Sequence, residues 1–356
     1  MNLDDTSLFT QIDCENMLAH IDGLPAQIQA AWDLGQKLPL ERWKDIQHVI
    51  VAGMGGSAIG ADLVASYVAP SCRVPIFIYR DYNLPAWAAG QQTLAVISSH
   101  SGNTEESLSS YKQAILANCR LIAITTGGEL AKLSQKAGMP LWQHTYHSQP
   151  RAAVGYSAIL FLALLTRLGL IPDPTKDLEQ TVAAMVSQQE RLKASVPTMQ
   201  NPAKRMAGQL YGRWVTIFGA DVLEPVARRW KSQINEIAKS WGQFEALPEA
   251  DHNTVAGIVN GEEVLSRIMA LFLRANCYSP PTMQRTNLTK KALMLEGLNT
   301  DFIDAIGPNR LAQQWTALHF GDYTAYYLAM AYGIDPTPVA AIEAFKQEMA
   351  KKAEED

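Results

Sequence analysis

Three hydroxyl side chains, Ser99, Ser101 and Thr104, surround a glycine at a predicted junction between a strand and a helix. The apolar residues 94–97 predict a buried strand, and residues 107–116 predict a helix. The first N–H groups of a helix lack backbone partners and carry partial positive charge, so such a junction attracts anions. The hydroxyls add donors, which predicts a phosphate cradle without a lysine and a phosphorylated small molecule as ligand. The alternative is plain helix capping by Thr104 or Ser101.

A second glycine-rich turn, residues 53–60, also follows an apolar strand pattern. We interpret it as a second rim of the phosphate site, at which Ser57 contacts the sugar. Two alternatives stay open: a dinucleotide-binding loop and a plain tight turn. The dinucleotide interpretation is disfavoured because Tyr79 and Arg80, rather than an acidic residue, close the next strand.

Acid–base chemistry has two candidates, Glu236 in a helical pattern and His252 ahead of a predicted strand at residues 255–259. Together they could act as base and proton shuttle; singly, a solvated glutamate and a structural histidine are the alternatives. Arg151 lies just before a predicted buried helix at residues 152–168. A cation at a helix start is unfavourable unless an anion is near, which favours a functional role for this arginine.

Several classes of function are disfavoured. His144 and His147 have no carboxylate or cysteine ligand nearby in the sequence, so no metal site is expected. The net charge of −5 argues against a nucleic-acid partner, and no apolar run is long enough to span a membrane. The four cysteines are scattered and predict reduced thiols in a cytoplasmic protein.

The elements that must position these residues form two alternating series of strands and helices, which predicts an α/β fold. Each series implies a parallel sheet with helices on both faces. We divide the chain into a helical lead-in (1–45), a first domain (46–170), a linker helix (171–200) and a second domain (201–356) that ends in a helix. The strand candidates are residues 49–52, 75–79, 94–97, 121–124, 214–219, 255–259, 268–273 and 302–306.

From about residue 45 to Lys346 the chain resembles the sugar isomerase (SIS) domain proteins. More closely, it is similar to the bifunctional phosphoglucose/phosphomannose isomerases. The motifs that carry the likeness are Gly53–Gly60, Ser99–Thr104, Gln149–Arg151, Asn235–Lys239 and Leu247–Asn253. The first two mark SIS domains generally. The Asn-Glu and His-Asn pairs point to the isomerase branch.

This resemblance implies two flavodoxin-like SIS domains in a homodimer that acts on a sugar phosphate without a metal or cofactor. Glu236 would move a proton between C1 and C2, and Arg151 would stabilise the cis-enediolate. His252 of the partner subunit would open the sugar ring, assisted by Lys346 of the C-terminal helix. The residues that would hold the sugar phosphate are Gly56, Ser57, Ser99, Ser101 and Thr104.

The chain departs from the family pattern at two places. His100 stands where a tyrosine is common, which implies a mild change in the pocket wall. Val339 stands seven residues before Lys346, where the family has a threonine or glutamine linked to the C2 epimer, and Thr337 lies two residues earlier. Glucose 6-phosphate is therefore better supported as substrate than mannose 6-phosphate.

Two other functions remain as alternatives. One is a non-catalytic protein that binds sugar phosphates through its SIS domains. The other is a different SIS enzyme, such as an aminating ketose-phosphate isomerase or a lyase of N-acetylmuramate phosphate. Glu236 and His252 together favour the isomerase, because a binding module needs neither.

Overall fold

The computed structural model describes residues 2–355 of the protein. Its first half begins with three helices and continues as a five-stranded sheet. The elements are α1 (Ser7–Ile12), α2 (Met17–Asp22), α3 (Leu24–Lys37), β1 (His48–Ala52), α4 (Gly55–Val68), β2 (Ile76–Tyr79), β3 (Thr93–Ser99), α5 (Glu105–Leu116), β4 (Arg120–Thr125), α6 (Gly128–Lys136), β5 (Leu141–Gln143) and α7 (Val154–Arg167). A 3-10 turn, Pro150–Ala152, immediately precedes α7.

The second half contains a four-stranded sheet. Its elements are α8 (Thr175–Gln189), α9 (Pro202–Leu210), β6 (Trp214–Ala220), α10 (Glu224–Glu236), β7 (Gly242–Leu247), α11 (Glu262–Leu265), β8 (Ile268–Arg274), α12 (Pro280–Leu295), β9 (Asn299–Asp304), α13 (Arg310–Tyr332) and α14 (Ala340–Glu355). Further 3-10 turns lie at Asp221–Leu223, Glu249–His252 and Thr254–Ile258.

Every strand pair in both sheets is parallel. The strand orders are β2-β1-β3-β4-β5 and β7-β6-β8-β9. In each sheet the first strand has neighbours on both sides, so the winding direction reverses there. In open α/β sheets, ligands bind beyond the carboxyl ends of the strands at this point. The predicted α/β class, with two parallel sheets surrounded by helices, is confirmed.

Strand β3 carries the phosphate-cradle motif at its carboxyl end and is buried at every position. A central strand of a parallel sheet is covered on both faces by helices, so it needs an almost continuous apolar run. Residues 94–97 supply that run, and the buried polar residues Ser98 and Ser99 form the carboxyl end of the strand, where they still pair with β4. The motif therefore begins at the carboxyl edge of the sheet.

Helix α13 is the main element that the sequence analysis did not predict. It is buried from Leu311 to Met330 and packs against α8, α9, α10 and α4. A helix surrounded by protein has no polar face, so it lacks the amphipathic periodicity by which a surface helix is recognised. Despite such apolar elements, no helix among residues 2–355 is both long and apolar enough to cross a membrane.

The strand predicted at residues 255–259 is wrong. This segment forms the 3-10 turn Thr254–Ile258, which follows the similar turn at Glu249–His252. Val255 and Ile258 lie three residues apart, which places them on one side of a 3-10 helix, and both pack partly against the core. Their apolar character therefore reflects this packing and not strand pairing.

Two short strands, β5 and β7, were not predicted, and β9 begins earlier than the expected residues 302–306. The other strand candidates are confirmed within a few residues at each end. The domain limits at residues 45, 170 and 200 remain a prediction. Core residues from both halves form one continuous apolar cluster, to which Val49 of β1 and Phe218 of β6 both belong.

Candidate active site

The predicted phosphate cradle is a hydrogen-bonded turn between β3 and α5. Ser99 Oγ donates to Thr104 Oγ1 at 3.0 Å and accepts from the Gly102 amide at 3.1 Å. Ser101 Oγ accepts from the Asn103 amide at 3.2 Å. Thr104 is the N-cap residue of α5, but its side chain makes no capping hydrogen bond. Plain capping therefore does not account for these hydroxyls, and the α5 amides remain directed toward the turn.

The glycine-rich turn after β1 lies against the same cradle. Ser57, in the first turn of α4, accepts a hydrogen bond from the His100 amide at 3.2 Å. A Cβ on Gly56 would lie 2.4 Å from the Pro150 carbonyl oxygen, so this glycine allows the turn that carries Arg151 to approach α4 closely. The two rims and that turn therefore meet at the carboxyl edge of the first sheet.

The His100 side chain faces away from the cradle, toward the loop before Arg151. Its Nε2 donates to the Ser148 carbonyl oxygen at 3.0 Å. Burial lowers the pKa of His100, and burial with two histidine neighbours lowers the pKa of His144 to about 4. His144 stacks on Tyr156 with ring centroids 4.6 Å apart. His100 thus joins the cradle to the Arg151 loop.

Arg151 and Glu236 face each other although they come from different halves of the chain. Arg151 lies in the 3-10 turn Pro150–Ala152, and Glu236 is the last residue of α10. The distance from Arg151 Nη1 to Glu236 Oε2 is 3.7 Å, with the arginine 5% exposed and the glutamate 29% exposed. Burial lowers the pKa of Arg151 while the charge of Glu236 opposes that shift. A fixed cation therefore lies beside a carboxylate that is partly open to solvent.

The turn between α13 and α14 supports both groups through its carbonyls. Arg151 Nη2 donates to the Pro336 carbonyl at 3.0 Å and also to that of Thr337. Lys239 Nζ donates to the carbonyls of Asp335 at 2.9 Å and Glu236 at 2.9 Å. One turn thus contacts the arginine directly and the end of α10 through a lysine.

The other two predicted catalytic residues lie apart from this pair within the chain. His252 is exposed at the end of the turn Glu249–His252, and Lys346 is exposed on α14. In the part of the chain that the structure describes, neither makes a hydrogen bond or ion pair with Glu236 or Arg151. Over the same residues, no group of three or more histidine, cysteine or acidic side chains could hold a metal ion.

The chain is similar to known proteins over most of its length. Residues 199–349 match the family described as the bacterial phospho-glucose isomerase C-terminal SIS domain. Over 339 residues the chain is 37% identical to the bifunctional phosphoglucose/phosphomannose isomerase of Caldicellulosiruptor bescii, covering 94% of this chain and 99% of the relative. The chain belongs to the bifunctional phosphoglucose/phosphomannose isomerase family.

Two further comparisons fit this family membership. The bifunctional phosphoglucose/phosphomannose isomerase of Aquifex aeolicus is 30% identical, covering 87% of this chain and 95% of the relative. A solved structure, the glucose-6-phosphate isomerase like protein from Thermus thermophilus, matches with a TM-score of 0.64 at 19% identity. That match covers 95% of this chain and 98% of the other, and it supports the fold.

This family member contains residues near the pair that the sequence analysis assigned no role. Thr337 is 2% exposed, and its hydroxyl is buried without a hydrogen-bond partner in the described structure. Arg229 and Asp322 form a buried ion pair at 2.7 Å behind Arg151. One sequence signal could have identified Arg229: it shares a helix face with Gln233 and Glu236, which lie four and seven residues later. No sequence signal pointed to Asp322, because α13 itself was missed.

Proposed function

We propose that this protein is an aldose–ketose isomerase that interconverts glucose 6-phosphate with fructose 6-phosphate, and mannose 6-phosphate with fructose 6-phosphate. The observation that carries the proposal is the Arg151–Glu236 pair, 3.7 Å apart. The turn that holds Arg151 packs against Gly56 in the glycine-rich rim of the proposed phosphate cradle. The names of the relatives support the substrate class.

The substrate phosphate would bind at the starts of α4 and α5, where unpaired amides carry partial positive charge. Ser57, Ser99, Ser101 and Thr104 would supply hydroxyl donors there, and Gly56 would leave room for the Arg151 turn. An anion held at this edge would direct the sugar carbons toward Glu236.

Proton transfer would then run through Glu236. The ionised carboxylate removes the proton from C2 of the open aldose. The electron pair of that bond forms the C1–C2 double bond, and the carbonyl electron pair moves to O1, which gives a cis-enediolate. Return of the proton to C1, with transfer of the O2 hydroxyl proton to O1, gives the ketose. Arg151 would stabilise the negative charge that develops on the enediolate oxygen, and a guanidinium keeps its own protons throughout.

Ring opening would need groups that the single chain does not bring to this pair. We propose that His252 of the partner subunit and Lys346 supply them in a homodimer. Both side chains are exposed in the single chain, which leaves them free to meet a second subunit. The four free cysteines fit the proposed cytoplasmic location.

The test is turnover of fructose 6-phosphate and mannose 6-phosphate by the purified protein in EDTA, with Glu236→Gln as the variant. Loss of the base should lower kcat by about a thousandfold while phosphosugar binding persists. Glu190→Gln is the matched control, because Glu190 is an exposed carboxylate paired with Lys193. Near-normal turnover by Glu236→Gln would refute the mechanism. Binding without turnover by the wild-type protein would favour a sensor or another SIS enzyme.

A further inference from the structure

Behind Arg151 lies a buried polar cluster that the proposed reaction does not use. Arg229 and Gln233 project from α10, and Asp322 projects from α13. Their exposures are only 2%, 3% and 3%. Asp322 accepts hydrogen bonds from Arg229 Nη2 at 2.7 Å and from Gln233 Nε2 at 3.0 Å. Both carboxylate oxygens are therefore occupied, and the Arg229 charge is neutralised locally.

The cluster reaches the active site through the backbone of Arg151. The same Arg229 Nη2 that binds Asp322 also donates to the Arg151 carbonyl oxygen at 3.1 Å. This bond links α10 of the second half to the 3-10 turn of the first half. Since Glu236 lies on the same face of α10, one helix both carries the proposed base and holds the main chain of the cation opposite it.

Charge balance gives the cluster a second consequence. Arg151 and Arg229 are both buried, and burial first, then the charge of Arg229, lowers the pKa of Arg151. Asp322 binds Arg229, which leaves Arg151 to act on Glu236 and on the charge of an enediolate. A buried ion pair adds little net stability compared with a well-packed apolar cluster, so stability alone does not explain this arrangement.

We propose that Arg229, oriented by Asp322 and Gln233, is a positioning residue that sets where the Arg151 guanidinium lies relative to Glu236. This inference rests on the proposed function, since it concerns the same site. Arg229 acts through Arg151 and is not itself a catalytic residue. Loss of the cluster should therefore weaken stabilisation of the enediolate more than it weakens binding of the sugar phosphate.

The test removes the cluster without leaving an unpaired charge. Arg229→Met alone strands the Asp322 carboxylate and lowers the melting temperature. The triple variant Arg229→Met/Asp322→Leu/Gln233→Leu replaces the whole cluster by apolar side chains and should recover that temperature. Its kcat for fructose 6-phosphate should stay at least thirtyfold below wild type, with KM within threefold. Arg229→Lys, which keeps a charged donor beside Asp322, should recover part of kcat.

Lys204→Met is the matched control, because Lys204 is another buried cation. It lies in α9 and donates hydrogen bonds to Asp4 and to the Ala194 carbonyl. This substitution should lower stability and leave kcat near wild type. A triple variant with wild-type kcat, or one in which KM alone rises, would overturn the positioning role.

Binding of 5-phosphoarabinonate, measured by calorimetry, separates this inference from the proposed function. Its carboxylate has the charge and planar shape of an enediolate. We expect the triple variant to bind it at least tenfold more weakly than wild type, while Lys204→Met binds it normally. Equal binding by the triple variant would overturn the positioning role even if isomerase activity is found. Failure of the wild type to bind it would overturn both proposals.

Discussion

Glu236 occupies an unfavourable place for a carboxylate, at the end of a helix where backbone carbonyls accumulate negative charge. Two cations offset that charge. The Arg151 guanidinium lies 3.7 Å from the Glu236 carboxylate, and the Lys239 ammonium donates a hydrogen bond to the Glu236 backbone carbonyl. An arginine stays charged at all physiological pH values, so Arg151 can stabilise an oxyanion but cannot act as the base. The proposed roles of base and oxyanion stabiliser therefore follow from residue type as well as position.

At the cradle, Ser101→Ala should weaken substrate binding and leave the chemical step intact. Ser101 is exposed and lies at the start of α5, so its hydroxyl is available to a phosphate. A hydrogen bond to a charged group contributes about 1.5 kcal/mol, which corresponds to a rise in KM of roughly tenfold. Steady-state kinetics with fructose 6-phosphate tests this, with Ser187→Ala on α8 as the control. A fall in kcat at constant KM would contradict the assignment.

The buried histidine next to the cradle should make the protein sensitive to acid. Burial lowers the pKa of His144 from 6.5 to about 4, so between these values the unfolded chain binds a proton that the folded protein does not. Stability therefore falls as pH drops through this window, by about 2 kcal/mol at pH 5 from this residue.

Urea unfolding at pH 7 and pH 5 measures that loss. His144→Phe, which keeps an aromatic ring against Tyr156, should reduce the difference between the two pH values. His147→Asn removes one of the two histidine neighbours that lower the pKa of His144, so it should reduce the difference less than His144→Phe does, because burial of His144 is the larger cause. An unchanged pH dependence in His144→Phe would show that other groups control acid stability.

At the scale of elements, the contact between α4 and the Arg151 turn depends on the absence of a side chain. In Gly56→Ala the new Cβ would meet the Pro150 carbonyl oxygen at 2.4 Å, and backbone cannot move aside easily. We expect a loss of about 3 kcal/mol in unfolding free energy, together with reduced kcat as Arg151 is displaced.

Gly208→Ala provides the matched comparison for that substitution. Gly208 lies inside α9, and a Cβ there would have no atom within 4 Å. Alanine is the better helix former, so this variant should gain up to about 1 kcal/mol and keep its activity. Chemical denaturation and kinetics on both variants test the pair. Equal tolerance of the two substitutions would contradict the close approach at Gly56.

The elements predicted correctly are those whose sequence signal is local. β3 and the Ser99–Thr104 turn could be predicted because a buried parallel strand and a helix start each leave a mark within about ten residues. α13 could not, because burial on all sides removes its periodicity. The strand prediction at Val255 and Ile258 was wrong because a 3-10 turn packed on the core and a short strand have similar apolar composition.

At the scale of the whole molecule, the proposed completion of the site by a partner subunit predicts recovery of activity when two inactive variants are mixed. Glu236→Gln and His252→Ala homodimers should each be inactive. A hybrid dimer would contain one site with both residues intact, so random subunit exchange should restore about one quarter of wild-type activity.

That experiment requires subunit exchange, which mild denaturation and refolding of the mixture provides. His252→Ala mixed with wild type controls for losses during refolding. If the mixed variants stay inactive while the control mixture retains its activity through refolding, then Glu236 and His252 act in the site of one and the same subunit. A monomeric, fully active protein in analytical ultracentrifugation would contradict the dimer itself.

The pairing of Arg151 with Glu236 shows where sequence reasoning stops. Each residue could be singled out by its type and neighbours, but their 3.7 Å approach depends on how the two sheets pack through α4, α10 and α13. Asp322 and Arg229 depend on the same packing. The sequence of one segment does not indicate which distant segment it will contact in the folded protein.

Helix α13 also has a consequence for synthesis of the protein. Its residues contact two early helices. His319 Nε2 donates to the Ile21 carbonyl in α2 at 2.8 Å, and Gln314 Nε2 donates to the Leu63 carbonyl in α4 at 3.0 Å. The N-terminal helices therefore cannot complete their core until the ribosome has made the chain through α13, which ends at Tyr332. Translation at about 5–20 residues per second leaves apolar surface exposed for tens of seconds, a period in which a chaperone would protect the nascent chain.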